Sequence, residues 1–141
     1  MSKSGPIMVI DDDLEDHIIL DEIFRNLNYP NRVIFFSNGN EAFDYLTSTE
    51  DLPFIIISDI NMPGMNGFEI RKKICSNEKL NSKYIPYLFF TTSVDKKAVT
   101  EAYSLSVQGY FVKPATMTDL ERTLKRIIDY WQECFAPSYF N

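Results

Sequence analysis

Five short apolar runs punctuate the chain: Ile7–Ile10, Val33–Phe36, Phe54–Ile57, Tyr87–Phe90 and Tyr110–Val112. No other feature limits the fold so strongly. Each run is continuous rather than alternating, the pattern of strands covered on both faces and therefore parallel. Helical spacing fills the intervals. Leu20, Ile23, Phe24 and Leu27 follow the i, i+3, i+4, i+7 rule, and Leu120, Leu124, Ile127, Ile128 and Trp131 form the same kind of stripe near the C-terminus. Thr116-Met117-Thr118-Asp119 resembles a capping box opening that last helix. Asp95 suits the cap of a helix through Ser104, and Gly39-Asn40 opens a short one through Leu46. Five β units alternating with five α units predict an α/β fold, a doubly wound five-stranded parallel sheet with helices on both faces.

The chain's 141 residues fit one domain, expected to span 1–141 with a core over 6–133 and a short tail over 134–141. A hydrophobic share of 45% is enough for a substantial core. The net charge of −6 argues against a nucleic-acid footprint. No apolar stretch approaches the roughly 18 residues of a membrane span, and the N-terminal one is too short for a signal-peptide core. Cys75 and Cys134 lack metal-ligand spacing and read as reduced thiols, so a cytoplasmic location is expected.

Ligands of doubly wound sheets bind beyond the carboxyl ends of the strands. The residues that directly follow the apolar runs are therefore the functional candidates. Asp11-Asp12-Asp13 follow the first run, Asp59 the third, Thr91-Thr92-Ser93 the fourth and Lys113-Pro114 the fifth. Two carboxylates about 5 Å apart repel by roughly 3 kcal/mol at an effective dielectric near 20. A divalent hard cation removes that penalty, and Mg²⁺ suits an oxygen-only site. Such a set fits phosphoryl transfer to a carboxylate, with Asp59 as nucleophile and Lys113 and Thr91 contacting phosphoryl oxygens.

These motifs resemble the receiver domain of a two-component response regulator. Ile10-Asp11-Asp12, Ser58-Asp59-Ile60-Asn61-Met62-Pro63-Gly64-Met65-Asn66-Gly67, Phe90-Thr91-Thr92-Ser93 and Gly109-Tyr110-Phe111-Val112-Lys113-Pro114 occur in that family's order and at its spacing. The resemblance implies a flavodoxin-like (β/α)5 fold with strand order 2-1-3-4-5. It implies that Asp59 is the phosphorylation site, fed by a sensor histidine kinase. Asp12 and Asp59 would hold Mg²⁺ with the main-chain carbonyl of Asn61, and Asp11 would act largely through bound water. Thr91 and Lys113 would contact the phosphoryl group, Thr91 and Tyr110 would form the switch, and the Lys113–Pro114 bond is expected to be cis. Asn61 and Ser93 fall where the family varies its dephosphorylation rate.

Ile127-Ile128-Asp129-Tyr130-Trp131 and the Pro-containing end are similar to stand-alone receivers that partner bacterial phytochrome kinases. Activity is then limited to self-phosphorylation and slow self-dephosphorylation. Output is expected through contact with a downstream protein target or phosphotransfer protein, around Ala98, Ala102, Tyr103 and Tyr110, because fewer than ten residues follow the last helix.

Two other functions compete. A haloacid-dehalogenase-like phosphatase would use Asp11-x-Asp13, but it leaves Asp59 and the Met-Pro-Gly loop without a role. A phosphorylation-independent pseudo-receiver, a pure binding module, would be expected to lack one of the acids or the lysine. Among the remaining polar residues, Asp13 reads as a helix cap, Glu15 and Asp16 as a solvated first turn, and His17 as a surface residue. The aromatics Phe135, Tyr139 and Phe140 fit two uses equally, a cover for the last helix or part of a homodimer face.

Overall fold

The structure is a computed structural model and describes residues 3–140. Its strands are β1 (Ile7–Ile10), β2 (Val33–Phe36), β3 (Ile55–Ser58), β4 (Tyr87–Thr91) and β5 (Gly109–Val112). They form one parallel sheet in the order β2-β1-β3-β4-β5. The helices are α1 (Leu14–Leu27), α2 (Gly39–Ser48), α3 (Gly67–Ser76), α4 (Glu78–Asn81), α5 (Lys96–Ser104) and α6 (Met117–Glu133). A 3₁₀ turn, Pro137–Tyr139, ends the described chain. The one-turn helix α4 has no counterpart in the five expected from periodicity; Asn77 starts it by accepting the Leu80 N–H.

Strand alternation explains how continuous apolar runs build two separate cores. Ile7, Val9, Ile55, Ile57, Leu88 and Phe90 face α1 and α6, meeting Leu20, Phe24, Leu124 and Ile128. Met8, Ile10, Ile56, Tyr87 and Phe89 face the other way, against Ala42, Ile70, Ile74 and Ala102. The three inner strands are wholly buried, whereas β2 and most of β5 are half-covered or exposed because they form the sheet edges. Continuity of the apolar run therefore overstated the cover of the outer two.

The caps expected at Asp13, Asp95 and Thr116 form, Thr116 making only the forward half of the expected capping box, and Asn38 and Asn66 add two more. Asp13, Asn38, Asn66, Asp95 and Thr116 cap α1, α2, α3, α5 and α6 through their side chains. At α3 both halves of a capping box are present, between Asn66 and Glu69. Thr116 accepts the Asp119 N–H at 3.2 Å.

The C-terminal tail returns to the amino edge of the sheet. Tyr139 is buried, stacks on Phe54 at 5.2 Å and donates its hydroxyl proton to the Phe54 carbonyl at 3.1 Å. Phe135 and Phe140 remain exposed and stack on one another.

Candidate functional site

The sheet's hydrogen-bond ladder continues one residue past the strands, and that continuation brings the acids together. The Asp59 N–H donates to the Ile10 carbonyl at 2.8 Å, and the Asp11 N–H to the Phe36 carbonyl at 3.0 Å. Because β1 and β3 are neighbours, Asp11, Asp12 and Asp59 leave the same edge side by side. One oxygen from each lies within 4.8 Å of the others. Three hard oxygen donors at that spacing fit a small divalent cation.

Lys113 arrives from β5 across β4, its N–H donating to the Thr91 carbonyl at 2.8 Å. Its Nζ reaches Asp11 at 2.7 Å, Asp16 at 3.0 Å and Asp59 at 3.3 Å. Burial disfavours the ammonium, but the three carboxylates outweigh it and hold the Lys113 pKa above the ordinary lysine range. Burial dominates at Asp11 and pushes its carboxyl up to about 6, against the opposing pull of Lys113 and the Asp13 N–H. Asp16 is also raised by burial, yet its hydrogen bonds to Lys113 and Asp11 bring it below the ordinary carboxylate value.

The Lys113–Pro114 bond is trans, since no cis peptide occurs among the described residues. This corrects the expected cis bond: Nζ already meets three carboxylates, and trans is the intrinsically preferred X–Pro isomer. Asp16 is a second correction. It is not a solvated first-turn residue but a partner of Lys113. The signal lay in the spacing, because Asp16 stands three residues, just under one helical turn, beyond the Asp13 cap and so lies on the same side of α1. His17 is half-buried instead of exposed, with its ring stacked on Phe35 and Nε2 against the Asp11 carbonyl.

The loop after β3 is shaped for close approach. Gly64 has φ +74°, a left-handed conformation that glycine adopts without strain. A Cβ on Gly67 would lie 2.2 Å from the Asp59 carbonyl oxygen, so α3 abuts the Asp59 backbone only because Gly67 lacks one. Oδ1 of Asp59 accepts the Ile60 N–H at 2.7 Å, which leaves Oδ2 facing Lys113.

Thr91, the last residue of β4, is fully buried, and its Oγ1 accepts the Ser93 N–H at 3.4 Å. Asn61 is exposed at the rim and donates its side-chain amide to Ser93 Oγ at 2.8 Å. Tyr110 is half-buried, edge-on to Phe89, with its hydroxyl donating to the Ser93 carbonyl at 2.5 Å. Burial and the charges of Asp95 and Asp59 raise its pKa. Thus Asn61, Thr91 and Tyr110 all converge on Ser93. Ala102 is fully buried and offers no surface, whereas Tyr103 beside it is 54% exposed. The expected output face therefore excludes Ala102, whose small side chain seats α5 on the core.

Asp13 caps α1, accepting the Glu15 N–H, and is exposed. That occupation weakens an Asp11-x-Asp13 catalytic pair, and the phosphatase reading draws no support. The pseudo-receiver reading fares no better, because both acids, the acceptor and the lysine meet at one place.

Comparison with known proteins agrees. The response regulator receiver domain model matches residues 7–125. The chain belongs to that family. It is 32% identical over 134 residues to chemotaxis protein CheY-3 of Vibrio cholerae, covering 92% of this chain and 95% of that one. Among solved structures, the phosphorylated cyanobacterial phytochrome response regulator RcpA superposes with a TM-score of 0.85 at 28% identity, over 95% of this receiver and 99% of RcpA. The Mn²⁺-bound form of response regulator Rcp1 gives a TM-score of 0.80 at 26% identity, over 94% and 97%. The receiver's five-stranded order matches the fold these proteins share. No helix among its described residues is long and apolar enough to cross a membrane.

Proposed function

We propose that this receiver stores a phosphoryl group on Asp59, taken from the phosphohistidine of a sensor histidine kinase. A carboxylate oxygen of Asp59 bonds to phosphorus as the P–N bond breaks. The histidine nitrogen keeps the electron pair and takes up a proton. Asp11, Asp12, Asp59 and the Asn61 carbonyl would hold Mg²⁺, which when bound supplies charge neutralisation for the phosphoryl oxygens. Lys113 pairs with a phosphoryl oxygen as it leaves Asp59, and the Thr91 hydroxyl donates to another. Water attack on phosphorus later returns the carboxylate and inorganic phosphate.

The observation that carries this reading is the single ammonium of Lys113 set against Asp11 and Asp59, which with Asp12 form the one metal-competent cluster among the described residues. Drawing the Thr91 hydroxyl toward phosphate disturbs the Ser93 loop to which Tyr110 is tied. The signal passes to the surface of α5 and β5, where Tyr103 and Val112 are exposed, and from there to a downstream protein or phosphotransfer protein. The chain then works as one receiver unit, core 6–133 with tail 134–141, without nucleic-acid binding.

The test is incubation with acetyl phosphate and Mg²⁺, followed by intact mass. One added phosphate is expected, abolished by Asp59→Asn and by chelation of Mg²⁺. Multiple turnover of phosphate esters, or phosphate uptake by Asp59→Asn equal to that of the unsubstituted protein, would contradict the proposal.

A further inference from the structure

Lys113 has three carboxylate partners, and only two of them belong to the metal-competent cluster. Asp11 and Asp59 do; Asp16, on the first turn of α1, does not. The distinction matters once the site is loaded. A divalent cation needs the carboxylate oxygens of Asp11 and Asp59 that the ammonium contacts here, and two cations cannot share them without repulsion. Lysine is a flexible stem ending in a point charge, so an ammonium displaced from both would lose its place unless something else retained it. Asp16 is the group that can. Its Oδ2 lies 3.0 Å from Nζ, it sits at the positive end of the α1 dipole, and its side chain is 31% exposed against 12% for Lys113. It therefore remains beside the ammonium at the mouth of the site while the deeper carboxylates serve other ligands.

We propose that Asp16 is a positioning residue, which draws the Lys113 ammonium aside from Asp11 and Asp59 when a divalent cation binds and holds it ready for a phosphoryl oxygen. The proposal rests on the reading of the acidic cluster as a Mg²⁺ site and extends it to a residue outside that cluster. Without Asp16 the ammonium has only the metal's own carboxylates to pair with, and it competes with the cation for them.

Calorimetric Mg²⁺ titration of the full chain, with no phosphoryl donor, separates this role from general electrostatics. Four proteins are compared: unsubstituted, Asp16→Asn, Lys113→Met and the double variant. Asp16→Asn is expected to weaken Mg²⁺ binding about tenfold, the lower end for loss of a group that supports metal ligands. In the Lys113→Met background the same substitution should change affinity by less than about twofold, the scatter of independent sites. An equal loss in both backgrounds would mean that Asp16 acts only as a nearby negative charge, and would overturn the proposal. So would an unchanged affinity in Asp16→Asn. A tenfold loss accompanied by a collapsed thermal transition, and restored neither by Asp16→Glu nor at lower temperature, would also overturn it, by assigning Asp16 to folding. Should the unsubstituted protein bind no Mg²⁺, the reading of the acidic cluster fails together with this inference; should it bind and Asp16→Asn match it, only the inference fails.

Discussion

Asp11 is the residue at which burial and function conflict most openly. Its fold raises the pKa from 3.8 to about 6, so the folded, metal-free protein retains a proton that the unfolded chain has already released. The stability this group contributes is present below pH 3.8 and is lost as pH rises through about 6. A divalent cation needs the ionised form, so Mg²⁺ affinity should be level above about pH 7 and fall as pH drops through 6. Calorimetry at several pH values checks this, and an affinity unchanged between pH 7 and pH 5 would contradict it. At Gly67 the constraint is steric. Gly67→Ala puts a methyl group 2.2 Å from the Asp59 carbonyl, and overpacking of that kind costs about 1–3 kcal/mol. Urea denaturation should register the loss, with phosphoryl uptake slowed in the same variant because the Asp59 backbone must shift.

Single elements carry the site because β1, β3, β4 and β5 each end on, or one residue before, the residue they deliver. That relation was legible in the sequence: Asp11, Asp59, Thr91 and Lys113 each follow an apolar run, and the helix caps Asp13, Asp95 and Thr116 are local signals as well. What could not be read was tertiary. Asp16 gains its role from a lysine 97 positions away, His17 from a ring on β2, and Ala102 is buried by the way α5 seats on the sheet. The tail belongs to this scale too. Aromatic content alone left Tyr139 between a cover and an interface, and the structure sets it under the sheet as a cover while Phe135 and Phe140 stay outside. Tyr139→Ala should destabilise the fold by about 3 kcal/mol, as large-to-small changes at buried aromatic sites do. Tyr139→Phe removes only the hydrogen bond to Phe54, about 1 kcal/mol. Both variants should still accept phosphate on Asp59, since the tail lies at the opposite edge of the sheet; thermal melts and intact mass together test the separation.

For the molecule as a whole, one sheet edge gathers four carboxylates, three of them paired with a single lysine, while the strands themselves are mostly apolar. The two cores on either face make the scaffold rigid, so a charge change at the edge has few ways to relax. One runs along the Ser93 loop to Tyr110. Kinase input, switch and output all depend on where the phosphoryl group lands. The direct measurement is site mapping: phosphorylated protein is reduced with borohydride, which converts an aspartyl phosphate to homoserine, and peptides are sequenced by tandem mass spectrometry. Homoserine at position 59 alone is the expected result. Homoserine at position 11 or 12 with position 59 unmodified would contradict the account.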